Sequence, residues 1–308
     1  MTTPRTVLPT DLVALVSYDG HVYSNEAMTA DRTGKQASPH PLETAFEQWF
    51  SFATGRHTWI SVKGATLRGL ISARKRGSKL AWEVDCLIDA TEDDTAVLLG
   101  LFDQVTHAAG KSGALRVFLR VPAGSHAERM ASRCEFAPYL RERVWRRDLA
   151  GVAAEASPLV RRRAKGDLYP LFRLYNEVVP ERVRKIEAMT LAEWTAAQEH
   201  LGRTSHYVLE GEGRLRGSLR VAADGDLGRF EVLADGAGLE PLLDTALAKL
   251  ANRARAFVLV PDYLPELETK LAARGFEAAE EFAVLCRRTA HVLKAPRPLP
   301  ALIGTNLI

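Results

Sequence analysis

Leu67-Arg68-Gly69, followed by Trp82-Glu83-Val84, is met again 148 positions later as Leu215-Arg216-Gly217 and Phe230-Glu231-Val232. Further on, Phe118-Leu119-Arg120-Val121-Pro122 is matched by Phe257-Val258-Leu259-Val260-Pro261 at a separation of 139, and Arg146-Arg147 by Arg287-Arg288 at 141. Any one match is weak. Four in the same order, with one gap of nine residues, describe a duplicated unit, and a repeat of this size governs the fold. The reading divides the chain near Gly151–Arg163, into units at 1–150 and 164–293 and a Pro-rich tail at 294–308.

Working outward, each unit has the same local pattern. Thr58–Lys63, Leu67–Arg76 and Leu80–Ile88 read as strands because they are short, rich in β-branched and aromatic residues, and bounded by Gly and Ser. Ser205–Glu210, Leu215–Ala222 and Leu227–Ala234 repeat them. A helix follows in both: Val97, Leu98, Leu101, Phe102, Val105 and Ala109 form one apolar stripe, and Leu239, Leu242, Leu243, Ala246, Leu247, Leu250, Ala251 and Ala254 the other. Then come a buried strand (Leu115–Val121, Ala256–Val260), a helix (Ala127–Arg133, Glu266–Arg274) and closing strands around Glu142–Leu149 and Glu281–Thr289. The fold class is α/β, a mixed sheet covered by helices, twice over. Helices are also expected at Pro41–Phe52, Asp167–Val178 and Leu191–Leu201, the last behind a Thr190/Glu193 capping box. Residues 29–41 read as a loop.

Composition narrows the class. The 308 residues are 46% hydrophobic and 26% charged, near the average for globular chains, which excludes disorder and coiled coil. No run of apolar residues is long enough to cross a membrane, and the N-terminus lacks the pattern of an exported leader. Three scattered cysteines (Cys86, Cys134, Cys286) fit a reducing, cytoplasmic setting. The net charge is +3, and the window Arg141–Lys165 alone holds eight basic and three acidic residues. No aromatic stacking pattern accompanies that charge, so nucleic acid is not the expected partner. A solvated strand edge and linker is the plainer explanation.

The order of elements, together with the opening helix Asp167-Leu168-Tyr169-Pro170-Leu171-Phe172-Arg173-Leu174-Tyr175-Asn176 and the ending Leu271-Ala272-Ala273-Arg274-Gly275-Phe276, resembles the GNAT acetyltransferase superfamily in a tandem arrangement. The resemblance runs from Arg5 to about Leu293. It implies acyl transfer from acetyl-CoA to an amine, carried by a small molecule or a peptide. In that family the pyrophosphate rests on backbone N–H groups where a helix follows the fourth strand, a position favoured by unpaired donors and the helix dipole.

The two units differ at that position. The first reads Asp89-Ala90-Thr91-Glu92-Asp93-Asp94, four carboxylates and no glycine, and is not expected to bind CoA; its acids are expected to cap the helix. The second retains a Gly-x-Gly, which makes Leu233, Asp235, Gly236, Ala237, Gly238 and Leu239 the candidate cofactor loop, although the family's Arg/Gln is missing. The resemblance also suggests Glu231 as general base, with Glu83 its counterpart in the first unit. A polar residue on a solvated strand face is the commoner explanation of both. The family's acidic tyrosine is replaced by Leu271 and by Met130, leaving Tyr263 as the nearest phenol. The eight histidines have no metal-ligand spacing, and no metal is expected. Two functions stay open: an acetyl-CoA-dependent N-acetyltransferase working through the second unit, and a non-catalytic relative that binds a ligand or a protein. The sequence does not set the acceptor or the oligomeric state.

Overall fold

The computed structural model describes residues 4–11, 14, 21–24, 56–76, 80–90, 94–151, 154–198 and 204–289. The expected helix at Pro41–Phe52, the loop at 29–41 and the tail at 294–308 lie outside them. The first unit contains β1 (Arg5–Thr6), β2 (His21–Ser24), β3 (His57–Lys63), β4 (Thr66–Lys75), β5 (Ala81–Asp89), α1 (Thr95–Lys111), β6 (Arg116–Pro122), α2 (His126–Arg133) and β7 (Ala137–Asp148). The second contains β8 (Val160–Arg162), α3 (Leu168–Val178), α4 (Glu181–Glu187), α5 (Leu191–Ala197), β9 (Thr204–Gly211), β10 (Arg214–Asp224), β11 (Leu227–Ala234), α6 (Leu239–Leu250), β12 (Arg255–Pro261), α7 (Pro265–Ala273) and β13 (Glu277–Arg288).

The duplicated Leu-Arg-Gly has a packing cause. A Cβ on Gly69 would stand 2.8 Å from the Val97 side chain of α1, and one on Gly217 would press into Leu242 of α6. Each glycine is the notch through which the following helix lies flat on its sheet. The predicted stripes are buried except at Ala251 and Ala254, which lie exposed beyond the end of α6 at Leu250: Leu98, Leu101, Phe102 and Val105 on α1, and Leu242, Leu243 and Ala246 on α6, are fully covered. Burying a side chain such as Leu or Phe is worth about 1.5–3 kcal/mol. Much of the nine-residue gap falls here, since α1 has 17 residues and α6 has 12.

All strands of the described residues join one sheet, ordered β1-β3-β4-β5-β6-β13-β7-β12-β11-β10-β9-β8 with β2 beside β5. The closing strands are exchanged. β13 of the second unit pairs with β6, and β7 of the first pairs with β12, while β7 and β13 pair with each other at the middle. Ala283 and Leu285 of β13 therefore complete the first unit's core, and Trp145 and Leu149 complete the second's. Neither stretch of chain contains a whole core alone.

A further repeat, invisible as sequence, opens each unit. Arg5 forks onto Asp11 at 2.8 and 2.7 Å, and Arg161 forks onto Asp167 at 2.8 and 2.9 Å. In both, the aspartate also accepts a backbone N–H, from Leu8 or from Ala164, at 2.7 Å. β1 pairs with β3 as β8 pairs with β9, so the second unit's first strand begins at Val160, ahead of the 164 expected. Strand pairing also revises the equivalence of Glu83 and Glu231. Trp82 pairs with Lys75 and Val117; in the second unit the residue paired with Ala223 and Ala256 is Gly228, not Phe230. A bulge between Ser72 and Ala73 interrupts the pairing, so Val84 takes the place of Phe230 and the place of Glu231, opposite Arg220, falls at Asp85–Cys86, not at Glu83.

The units part company where the fourth and fifth strands diverge. β5 is parallel to β6 only over Ala81–Glu83, and its far half, Cys86–Asp89, is paired by β2. β11 is parallel to β12 over Leu227–Phe230, and beyond Phe230 it keeps only β10 among the described residues. One cleft is filled by a strand of the chain itself; the other is open among the described residues.

Candidate functional site

The open divergence of β11 and β12 leads into a cavity of about 260 Å³. Leu171, Tyr175, Val183 and Trp194 from α3, α4 and α5 line one side with Leu233 and Leu259, and charged side chains line the other. α4 was not foreseen. Its seven residues bury only Val183, too little for a periodic signal, and Pro180 occupies the N-cap position. α5 starts at the predicted capping box, where the Glu193 N–H donates to Thr190 Oγ1 at 3.2 Å and the Thr190 N–H to Glu193 Oε2 at 3.1 Å, but it ends four residues early.

Both expected catalytic residues reach this cavity. Glu231 Oε2 accepts from Arg220 at 2.6 Å and Oε1 from Arg229 at 3.2 Å, so both oxygens are engaged and the carboxylate is held in place. Tyr263, just past β12, lies among Leu140, Tyr175 and Val179. Burial, reinforced by the Glu142 carboxylate, holds its hydroxyl protonated far above the usual phenol range. The hydroxyl makes no hydrogen bond among the described residues and is a proton donor without a present acceptor.

The first unit adds Arg76, Arg120 and Glu142 to the polar wall. Arg120 grips Glu142 through Nε at 2.7 Å and through the guanidinium fork at 3.3 Å, both residues being buried. Arg76 binds Glu187 of α4 at 2.7 Å and stacks over Phe118 at 4.3 Å. The Tyr139 hydroxyl donates to the other Glu187 oxygen. Burial raises the Tyr139 hydroxyl, and the adjoining Glu187 carboxylate raises it further. Glu187 thus ties the second unit's helices to Arg76, just past β4, and to β7 of the first. No motif marks these residues, because their meeting follows from the strand exchange.

At the candidate cofactor loop, Gly236–Gly238 form a single 3-10 turn leading into α6. Gly236 and Ala237 are exposed, whereas Gly238 and Leu239 are buried. Gly238 is required by packing, since a Cβ there would lie 2.8 Å from the Arg216 carbonyl oxygen. Asp235 faces Arg216 at 3.0 Å and Arg214 at 3.4 Å, and Leu233 lines the cavity instead of the turn. The space over Gly236 is taken by the Glu266 carboxylate, 2.5 Å from where a Cβ would stand. Glu266 is exposed and ends a flexible side chain, so rotating it away presents the Gly236 and Ala237 amides at the start of α6 to a phosphate. With that movement the loop fits the pyrophosphate of an acyl-CoA. The open strand edge beyond Phe230 fits the extended arm.

Asp94 stands at the N-cap of α1 without capping it; its carboxylate turns to Arg68 at 2.8 Å. Glu83 and Asp85 are buried, not solvated, because both faces of β5 are covered; Asp85 meets Arg56 at 2.6 Å, and burial raises its carboxyl above the ordinary range. Burial pushes the Cys286 thiol up to about 12, which suits packing and not nucleophilic attack. Leu271 and Met130 are core residues. No described helix is long and apolar enough to cross a membrane.

No family model and no curated protein matches the chain. Among solved structures, a GCN5-related N-acetyltransferase from Sphaerobacter thermophilus superposes with a TM-score of 0.55 at 14% identity, over 94% of this chain and 96% of that one. A tandem GNAT protein from the clavulanic acid biosynthesis pathway gives 0.50 at 14% identity over 94% and 98%. The N-myristoyltransferase of Saccharomyces cerevisiae, solved with myristoyl-CoA, gives 0.50 at 12% identity over 94% and 83%. The likeness is one of fold: this chain has the tandem GNAT architecture.

Proposed function

We propose that the chain is an acyl-CoA-dependent N-acyltransferase working in the second unit only, with acetyl-CoA as the simplest donor and a small-molecule or peptide amine as acceptor. The observation that carries this is the contrast between the two divergences: β2 pairs the far half of β5, whereas β11 opens beyond Phe230 into a cavity holding Glu231 and Tyr263. When bound, the donor supplies a thioester carbonyl for the amine to attack. Gly236 and Ala237 would hold its phosphates, and the free edge of Glu231–Ala234 its amide arm. Glu231, fixed by Arg220 and Arg229, attracts the acceptor ammonium and takes its proton directly or through water. Tyr263 Oη gives a proton to the departing sulfur. The apolar wall excludes water from the thioester.

The test is thiol release from acetyl-CoA over a panel of amines, preceded by a binding titration. Tyr263→Phe is expected to lower kcat by about 10²-fold or more while leaving donor affinity within a factor of three. Saturable binding without turnover on any amine would favour the non-catalytic reading, for which the full engagement of Glu231 is the supporting observation.

A further inference from the structure

Arg163 and His206 line the cavity and also a second, wider cleft of about 460 Å³ at the β8 edge, built from Arg162, Ala164, Lys165, Thr204 and Ser205. Arg162, Arg163 and Lys165 form no ion pair among the described residues. In the same basic stretch Arg146 and Arg147 likewise form no ion pair among the described residues, whereas Arg141, Arg143 and Arg161 each meet two carboxylates. The fold does not require the three charges. The first unit builds the same Arg–Asp fork and the same turn with Thr6, Val7 and Pro9 where the second has Arg162, Arg163 and Lys165. Arg163 lies in the field of the Asp167 carboxylate, Arg162 and Lys165 meet no carboxylate among the described residues, and like charges lining one cleft repel one another. In a cleft continuous with the candidate active site they make a seat for negative charge.

Strand register gives the reach of that seat. Glu231 stands opposite Arg220, Arg220 opposite His206, and the Arg163 N–H donates to the His206 carbonyl at 3.0 Å. Three strand spacings of about 4.8 Å place Arg163 roughly 14 Å from Glu231. The turn at Gly236–Gly238 lies at the other end of β11, beyond Ala234, whereas the cleft lies at the level of Thr204, which pairs with Ala222. The cleft is therefore on the side of the site away from the donor's phosphates.

Resting on the acyl-transfer reading, we propose that Arg162, Arg163 and Lys165 seat an anionic group, phosphate or carboxylate, on the acceptor, making the acceptor an elongated molecule with its amine and its negative charge roughly 14 Å apart. The test uses the full chain at low ionic strength, titrated calorimetrically with inorganic pyrophosphate and, separately, with acetyl-CoA. The variant Arg162→Thr/Arg163→Val/Lys165→Ala copies the first unit's turn closely enough to keep the fold, and Arg163→Glu alone serves as a second probe. Pyrophosphate is expected to bind the wild type in a salt-sensitive manner, at least tenfold more weakly to the triple variant and no more strongly to Arg163→Glu, with acetyl-CoA affinity unchanged in both. Pyrophosphate binding unaltered in the triple variant, or absent from the wild type, overturns the seat. A parallel tenfold loss of acetyl-CoA assigns the cations to the donor's phosphates and overturns the acceptor assignment. A wild type that binds pyrophosphate through these residues but no acetyl-CoA sinks the acyl-transfer reading while the anion seat stands.

Discussion

Replacing Glu187 by Gln removes the one carboxylate that joins α4 to both Arg76 and Tyr139. Its shape is kept and its charge is lost, leaving the Arg76 guanidinium, only 12% exposed, without its direct partner. Unit charges about 4 Å apart attract by roughly 4 kcal/mol at an effective dielectric of 20. Breaking a buried pair on one side costs about 3–5 kcal/mol. The nearby Glu83 carboxylate also stabilises the Arg76 cation, and the site opens to the cavity, so we expect a loss near 3 kcal/mol. Each kcal/mol lowers Tm by about 2–4 °C in a chain of this class, which gives roughly 6–12 °C. Urea unfolding followed by tryptophan fluorescence measures it. The double variant Arg76→Met/Glu187→Gln leaves no uncompensated guanidinium and should recover at least half of the loss. A single variant losing less than about 1 kcal/mol, or a double variant losing the sum of the singles, would refute the assignment of Glu187 as the tie between units.

Further outcomes follow from the same geometry. Gly238→Ala should destabilise by about 1–3 kcal/mol because its Cβ meets the Arg216 carbonyl, whereas Gly236→Ala meets only a movable carboxylate and should cost less than half as much. The Asp11 and Asp167 carboxyls are held below their ordinary range by Arg5 and Arg161. Their contribution is fully present above the usual aspartate value near 3.8 and is lost as pH falls through the lowered folded values, so Asp11→Asn should flatten the acid limb of stability measured between pH 6 and 2. Because β7 and β13 are exchanged, calorimetry should show one cooperative transition for both units, and removing residues 277–308 should abolish it rather than leave the first unit folded.

Local signals in the sequence were sufficient for most elements. The stripes of α1 and α6, the two meanders and the Thr190/Glu193 box depend on neighbours within one helix or hairpin, and the structure shows them close to where periodicity puts them. What the sequence did not disclose depends on pairing between distant strands. The exchange of β7 with β13 leaves no trace in either strand's alternation, and β2, which fills the first divergence, is four residues long. The match of Trp82-Glu83-Val84 to Phe230-Glu231-Val232 proved two residues out of structural register up to Val84, a shift that keeps side chains on their face, and the bulge at Ser72/Ala73 changes the offset beyond it. At the site, Glu231 was expected from the resemblance and Tyr263 as the nearest phenol past the Val-Pro strand, and both line one cavity. Arg76, Tyr139, Glu187, Arg120 and Glu142 were not expected, since each is an ordinary polar residue until the units interlock.

The most direct test of the account is a calorimetric titration of the full chain with acetyl-CoA, read alongside amide hydrogen exchange. One saturable site is expected, with slowed exchange over 231–239 and 259–264 and unchanged exchange over 81–90, and Ser218→Trp, which fills the cavity wall, should weaken it at least tenfold. Absence of saturation at millimolar donor, or protection that falls on the first unit's divergence, would contradict the claim that the second unit alone retains a working acyl-donor cleft.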